Sequence, residues 1–394
     1  MKLKTQNKIK SNQLIIKLNE KLSNNQIEFV KNSCLDSYPN HKIFIKQNAV
    51  LIKNPNRDKK EIINSIKKLI FISKRIGENK IIFNQIRKIK FIKDPLKYLE
   101  KNDEIKRISN DLFQFQGSFL KNFRIINEYF FKLAVNKYNA VDQENPILWP
   151  IDLYKKIDYL SEFPQQSLFV VGLKKNNKNL DSFSKKYSSK NNFKEIEIDN
   201  HLEKARYGLQ PAVCDNCYYA LSNLSLFKNT VYTTYNKVFR NENSKNNSLD
   251  RLISFSVRDV MFVGDKKFVI STRNKLIKDL KKFLKKTELD CSIETANDPF
   301  FIGNIDKKLF QNAFELKYEI LAMIPFLKKK IAIGSINFHV NTFGKAFNIK
   351  NNKKNIFSGC IGIGFERILL ALYSQHGNKI ENWPKSIKQL LKIK

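Results

Sequence analysis

Residues 358–373 read Ser-Gly-Cys-Ile-Gly-Ile-Gly-Phe-Glu-Arg-Ile-Leu-Leu-Ala-Leu-Tyr. Gly362 and Gly364 stand one residue apart and lead into Glu366-Arg367 and an apolar helical run. Glycine lets a backbone approach a ligand where any Cβ would clash. An arginine at the start of the following helix sits near its free N–H groups and positive end, a setting that favours phosphate. Upstream, Phe239-Arg240-Asn241-Glu242 forms a second element of phosphate type.

Arginine is scarce in this chain. Eleven of the 72 basic residues are arginine, so lysine is the default cation. The abundance of lysine, asparagine and isoleucine marks a compositional bias across the whole chain. Against it, an arginine marks a candidate place for a planar, bidentate, permanently charged fork. Arg240, Arg251, Arg258 and Arg367 all fall in the two motif regions. A surface or structural ion pair is the plainer reading of any single one.

The 394 residues, 42% hydrophobic with 31 Phe, suffice for one large domain and a smaller one. No uninterrupted apolar stretch reaches the ~18 residues a membrane span needs. The first seven residues, Met-Lys-Leu-Lys-Thr-Gln-Asn, lack the apolar core of a signal peptide. Five scattered cysteines do not form a disulfide framework, which fits a reducing cytoplasm. The net charge of +35 invites a nucleic-acid partner, and would equally attract an acidic protein.

The periodicity predicts a strand over 13–19, a short helix over 24–35, one strand or a tight hairpin over 41–53, and an amphipathic helix over 58–76. That is a small α+β module. The charged segment 77–110, with Asp94-Pro95, reads as a connector or helical linker. Residues 1–110 are thus expected as an accessory module with linker, and 111–394 as the main domain. The Lys/Ser/Asn-rich stretch 174–193 reads as a solvated loop or hairpin insertion. A long amphipathic helix is expected from 117 to about 136, and a second from 151. Strands are expected at 168–173, 231–240, 255–263, 331–338 and 346–349, while 317–320 looks helical. Few helices between strands predict an antiparallel sheet flanked by helices rather than a parallel doubly wound one.

Taken together these residues resemble the catalytic domain of class II aminoacyl-tRNA synthetases over about 118–394. That family has three loose motifs. The first is a helix–strand ending in proline, read here up to Phe163-Pro164. The second runs from Phe239-Arg240-Asn241-Glu242 through Arg251 to Phe255, and the third from Gly362 to Arg367. A narrower resemblance lies in Leu209–Cys214, Asn297-Asp298-Pro299-Phe300-Phe301, Lys317-Tyr318-Glu319-Ile320, Ser335–His339 with Phe343-Gly344, and Ser358-Gly359-Cys360. These segments are similar to the amino acid:[carrier protein] ligases, relatives of the zinc-dependent, atypical seryl-tRNA synthetases. Those ligases load a small amino acid onto the phosphopantetheine thiol of a carrier protein and characteristically lack a tRNA-binding domain. This chain departs by carrying about 110 extra N-terminal residues.

The resemblance implies an α+β fold and a site for ATP, Mg²⁺ and Zn²⁺. It assigns Arg240 to the α-phosphate and the substrate carboxylate, Glu242 to the adenine side, and Arg251, with Leu252 beside it, to the outer phosphates. Arg367 takes the γ-phosphate, and the backbone near Ser335, Ile336, Asn337 and Phe338 borders the nucleotide. Phe255 and Phe338 stand open between that role and core packing. Cys214, Asp259 and Cys360 are the implied zinc ligands, leaving a fourth position for the substrate amine. The related proteins usually have Glu where this chain has Asp259, so Cys217 stands as a substitute or extra ligand, and a metal-free packing role for these cysteines also stands. Lys317 and Glu319, with Asn297 and Asp298, fall near the amino acid pocket, and His339 beside the site.

The favoured reading is an ATP-dependent ligase. It makes an aminoacyl-adenylate of glycine, alanine or serine and transfers it to a carrier protein. The alternatives are a seryl-type synthetase charging tRNA and an inactive synthetase-like regulator. A homodimer is implied by the first motif.

Overall fold

Alternation of apolar side chains decides the architecture. The computed structural model describes residues 79–392 apart from 90, 92, 110, 189–198, 242–247 and 297–314. Before residue 79 it describes 7–10, 13–18, 21–23, 26–27, 30–31, 34, 42–46, 49–53 and 59–73. Eight strands build the main sheet: β1 (Ile81–Gln85), β2 (Val141–Gln143), β3 (Thr230–Phe239), β4 (Ser254–Gly264), β5 (Cys291–Thr295), β6 (Lys317–Ile324), β7 (Lys329–Val340) and β8 (Phe357–Gly364). Their order is β1-β5-β6-β7-β8-β4-β3-β2. Every pair is antiparallel except the last, β3 with β2. The fold is the expected α+β class with an antiparallel sheet flanked by helices.

Strand side chains alternate between faces. Val260, Ile336, Ile361 and Ile363 point to one face, under α1 (Gly117–Lys132), α3 (Lys266–Thr287) and α4 (Phe365–His376). Met261, Val263 and Cys360 point to the other, under α2 (Cys214–Ala220) with Trp149, Phe343 and Phe347. Central strands covered on both faces read as nearly continuous apolar runs, as β8 does.

The junction of β8 with α4 is fixed by Glu366. Its buried carboxylate accepts the Ser256 amide at 2.9 and 3.0 Å and lies 3.4 Å from Lys237 Nζ. An acid in the first helical turn also suits the positive end of α4. Phe365 beside it is fully buried, with ring centroids 5.0 Å from Phe123 and 6.0 Å from Tyr235.

Before the main sheet, strands Asn7–Lys10, Gln13–Lys17, Lys42–Lys46 and Ala49–Lys53 form a four-stranded antiparallel sheet with the helix Lys59–Ser73. The hairpin alternative for 41–53 is the one realised. Within 24–35 the described residues 26, 27, 30, 31 and 34 are helical. Ile16, Val50, Ile52, Ile62, Ile66 and Leu69 give this module its own core.

Several expectations are corrected. The linker reading of 77–110 fails. Ile81–Gln85 is an edge strand of the main sheet, Leu96–Lys101 is a helix, and Ile105–Ser109 pairs with Leu112–Phe115. Lysine density hid their apolar residues; Leu96, Leu99 and Ile105 are buried in the main core. The sheet therefore begins well before residue 111. The stretch 174–193 contains a helix, Asn177–Tyr187, capped by the Asn176 side chain and burying nothing. Residues 317–320 are strand, not helix, because Tyr318 and Ile320 alternate with Lys317 and Glu319. Of 346–349, Ala346 ends the short helix Thr342–Ala346 and the rest is not strand; pairing resumes at Lys350. Of 168–173 only Phe169–Val170 is strand, in a separate three-stranded sheet. No strand ends at Phe163-Pro164: Tyr159–Glu162 is one helical turn and Pro164–Gln166 a 3₁₀ turn. The helix–strand–proline order occurs instead at α1, β2 and Pro146.

Phe365→Ala is expected to cost about 3–5 kcal/mol of unfolding free energy, read as a lower urea midpoint. An unchanged midpoint means that α4 is not anchored by this ring.

Candidate metal and nucleotide site

Register builds the site. Asp259 of β4 pairs with Gly362 of β8, which pairs with Ser335 of β7, which pairs with Glu319 of β6. The neighbouring row runs Met261, Cys360, Asn337, Lys317. Paired residues share a face and so do residues two apart. One face therefore carries Asp259, Cys360, Gly362, Ser335, Asn337, Lys317 and Glu319. Helix α2 lies over it and brings in Cys214.

Cys214, Asp259 and Cys360 are all buried, and their ligand atoms lie within 4.8 Å of one another. Cys217 does not join this group. It is fully buried among apolar residues, and burial pushes its thiol up.

Electrostatics inside the group are lopsided. The Cys214 thiol donates to Asp215 Oδ1 at 3.3 Å and also bonds Cys360. That bond, the charge of His339, and contacts from His339 Nε2 at 3.7 Å and Asn337 Nδ2 at 3.5 Å hold the Cys360 thiol well below its ordinary range, against burial. The bond to Cys360, then burial, pushes Cys214 up. Burial, then the charge of Cys360, pushes Asp259 well above the carboxylate range. Burial likewise raises Asp215 to about 6. Beside a Cys360 favoured as thiolate, ionisation of Cys214 and Asp259 is disfavoured. A divalent cation would remove that penalty, and two thiolates with one oxygen are a fitting donor set for one.

Two further features fit a metal. A Cβ on Gly362 would lie 2.6 Å from Asp259 Oδ1, so the glycine leaves the space that the carboxylate occupies. Around Cys360, His339 is fixed by Ser358 Oγ at 3.3 Å and Tyr218 OH at 3.4 Å from Nδ1. Tyr218 OH in turn donates to Gly359 O at 3.1 Å. Such outer partners orient metal ligands.

The arginines separate into two kinds. Arg240 and Arg367 approach the same ring, with guanidinium carbons 5.4 and 5.9 Å from the Phe255 centroid. Arg240 Nε donates to Pro211 O at 2.9 Å and Arg367 Nη1 to Ala332 O at 3.2 Å. Both are thus held from the backbone side, and the two distant motifs meet. Arg258 has the opposite parity to Asp259 and lies on the helix face. It bonds Asn127 Oδ1 at 2.7 Å and Thr233 Oγ1 at 3.2 Å, lies 3.7 Å from Asp142, and stacks over Phe131. It fastens α1 to the sheet.

Other expected residues divide likewise. Leu252 and Ile336 are buried in the helix-side core, and Phe338 packs against it, so these side chains do not face the site. Ser335 and Asn337 do, 3.3 Å apart. Arg251 is half-buried just before β4. Lys317 and Glu319 form an ion pair at 3.1 Å on the site face. Glu242, Asn297 and Asp298 lie outside the described residues. Residue reading missed Glu366 as a structural staple and Tyr218 as the support of His339. His339 stands beside the site as expected, 3.7 Å from Cys360 Sγ, and nothing local marks Glu366.

Residues 193–376 match the family model for the tRNA synthetase class II core domain (G, H, P, S and T). That match spans 184 of the 394 residues and likens this segment to such a core. The type-2 serine–tRNA ligase of Methanocaldococcus jannaschii is 26% identical over 318 residues, 78% of this chain and 61% of that protein. The chain spans about three fifths of the length of the curated seryl relatives it matches. An amino acid–[acyl-carrier-protein] ligase 1 of Bradyrhizobium diazoefficiens is 27% identical over 242 residues, 60% of this chain and 72% of that protein. The fold is similar to M. kandleri SerRS, solved in complex with A. aeolicus tRNASec. The TM-score is 0.71 at 17% identity, covering 96% of this chain and 77% of that one. No described helix is long and apolar enough to cross a membrane.

The two motif glycines are expected to differ. A Cβ at Gly364 meets nothing nearer than Ile333 O at 3.6 Å. Gly364→Ala should therefore keep cobalt(II) binding, read by thiolate-to-metal absorption, while Gly362→Ala should lose it with circular dichroism unchanged. Equal cobalt spectra for both variants would show that Gly362 does not seat the carboxylate.

Proposed function

We propose that this protein activates a small amino acid, serine by preference, with ATP and transfers the acyl group to tRNA. One observation carries the reading: two guanidinium groups from distant motifs converge on Phe255 on a sheet whose face also holds the Cys214–Asp259–Cys360 group.

The amino acid carboxylate attacks the α-phosphorus of ATP, forming the aminoacyl-adenylate and releasing pyrophosphate. Positioning and charge neutralisation govern such a step. Arg240 holds the α-phosphate and the attacking carboxylate through its planar fork. Its anchor on Pro211 O sets that fork before substrate arrives. Arg251 and Arg367 take the outer phosphates, Glu242 the adenine side, and Mg²⁺ accompanies the nucleotide. Cys214, Asp259 and Cys360 would hold Zn²⁺, which supplies a vacant coordination position for the substrate's neutral α-amine and so selects a free amino acid. Ser335, Asn337 and the Lys317–Glu319 pair border the remaining space, where a small polar side chain fits their chemistry.

The choice of acceptor moves from the carrier-protein reading to its alternative. Seven type-2 serine–tRNA ligases match the chain, six of them over 77–84% of its length, against 60% for the carrier-protein ligase. The fold likeness to M. kandleri SerRS spans 96% of the chain, so it includes the N-terminal module that carrier-protein ligases characteristically lack. That module is proposed to contact RNA. Transfer to a phosphopantetheine thiol remains the second reading, supported by the 27% identity to the Bradyrhizobium ligase over 72% of its length. The edge strand β2, with Val141 half exposed, supports a homodimer in either case.

Serine-dependent ATP–pyrophosphate exchange is expected, weaker with alanine or glycine, followed by seryl-tRNA formation. Arg240→Ala and Arg367→Ala should each lower exchange by about 10²–10³-fold. Thioester formation on a carrier protein without tRNA charging overturns the acceptor, and no exchange with any small amino acid overturns the enzyme in favour of a regulator.

A further inference from the structure

Helix α3 carries eight lysines and Arg273 in 22 residues, against one acid, Asp279. That is more than twice the basic density of the chain, so the compositional bias does not account for it. The helix follows the N-cap Asp265, whose side chain accepts the Phe268 amide. Leu276, Ile277, Leu280, Phe283 and Leu284 bury one side against the sheet face opposite the metal group. Lys275, Lys278 and Lys282 stand on the exposed side, close to one helical turn apart. Like charges three and four residues apart destabilise a helix, so folding alone does not favour this arrangement.

The lysines also line a hollow. A cavity of about 380 Å³ is bounded by Lys137, Tyr138, Lys275, Lys278, Asp279 and Lys282. Asp279 is buried and already engaged: Lys137 Nζ lies 2.5 and 2.7 Å from its oxygens, and Tyr138 OH donates to it at 2.6 Å. Among the described residues no acidic partner of Lys275, Lys278 or Lys282 is recorded, so their charge faces outward uncompensated.

We infer that this face of α3, with its hollow, binds the phosphate backbone of RNA. The partner rests on the tRNA reading above; the uncompensated charge does not. Lysines repeating along a helix neutralise successive phosphates without reading sequence. The face offers Ile270 as its one exposed large apolar side chain. It lacks the aromatic anchors of a protein hot spot and the apolar stripe of a membrane-surface helix. Lying on the back of the sheet, it would hold the body of an RNA and leave amino acid activation alone.

The test measures fluorescence anisotropy of mixed tRNA and of poly(A) across a salt series, with ATP–pyrophosphate exchange alongside. The variants are the Lys275→Glu/Lys278→Glu/Lys282→Glu triple and its Lys→Gln counterpart, which keeps the helix if charge reversal unfolds it. Both should weaken binding of either RNA about tenfold or more at low salt. Both should lower the slope of log affinity against log salt by about 3, one per lysine, with exchange unchanged. Wild-type affinity and slope in the Gln triple overturn the inference. So does an equal loss in a Lys178→Glu/Lys185→Glu/Lys186→Glu control on the exposed helix Asn177–Tyr187, which would report net charge only. Wild-type binding to polyglutamate and not to poly(A) overturns it in favour of an acidic protein. A wild-type protein that loads a carrier thiol and not tRNA sinks the acceptor reading, while poly(A) loss in the triple still supports the surface.

Discussion

Asp259 and Gly362 face each other across two antiparallel strands, and the site depends on that closeness. The carboxylate occupies the volume that any larger residue at 362 would fill. The same register that sets this pair puts Cys360 two residues along on the same face and Ser335 on the next strand. A slip of one residue would turn all of them into the helix-side core. The pattern that guards against a slip is the row Val260, Ile361, Ile336, which is buried on the other side. The site is therefore held in place by apolar residues that never touch it.

That separation explains what could be read from residues alone. Gly362, Gly364 and Arg367 stand within six residues of one another, so that motif was legible locally, as was the Phe239–Glu242 element, whereas the role of Glu366 was not. The metal group was different. Cys214, Asp259 and Cys360 are far apart in the chain, and only the family likeness joined them before α2 and the sheet did. Parity was available but unused for Arg258, whose side chain lies on the helix side. For Lys317 and Glu319 the charged residues broke a short apolar alternation, and the strand was mistaken for helix. Strand β1 was lost in the same way: Ile81, Ile82 and Phe83 are flanked by lysines and asparagine, so burial came second to charge in the reading. Its edge position needs few apolar residues.

Scarcity of arginine is informative in a lysine-biased chain, but it marks geometry rather than catalysis. Arg240 and Arg367 use backbone carbonyls to aim at one ring. Arg258 uses the same planar fork to bind a helix to the sheet, and Arg273 stacks over Tyr318 at 4.8 Å while donating to Glu315 O. In each case the fork satisfies several directional partners at once, which an ammonium on a flexible stem does less well. Lysine supplies diffuse field instead, and its concentration on α3 puts that field on the opposite side of the sheet from the Cys214–Asp259–Cys360 group. One sheet thus keeps two kinds of positive charge apart: directional on the face that carries the Cys214–Asp259–Cys360 group, diffuse on the back.

The aspartate at 259 follows the same logic of distance. A glutamate reaches a metal by choosing among more rotamers, so its carboxylate can be placed from a strand further away. Aspartate has one fewer bond to adjust and relies on the backbone to bring it close. Here the backbone does so, because β4 pairs directly with β8 and the residue opposite has no side chain. The cost is electrostatic. Burial, then the charge of Cys360, pushes a carboxyl held this near two sulfurs toward its neutral form, and a cation bound among them would favour its charged form. A shorter ligand therefore couples the ionisation of the site more tightly to metal occupancy than a longer, more mobile one would. The position of the strands, rather than the choice of side-chain rotamer, governs how close this carboxylate stands to the two sulfurs.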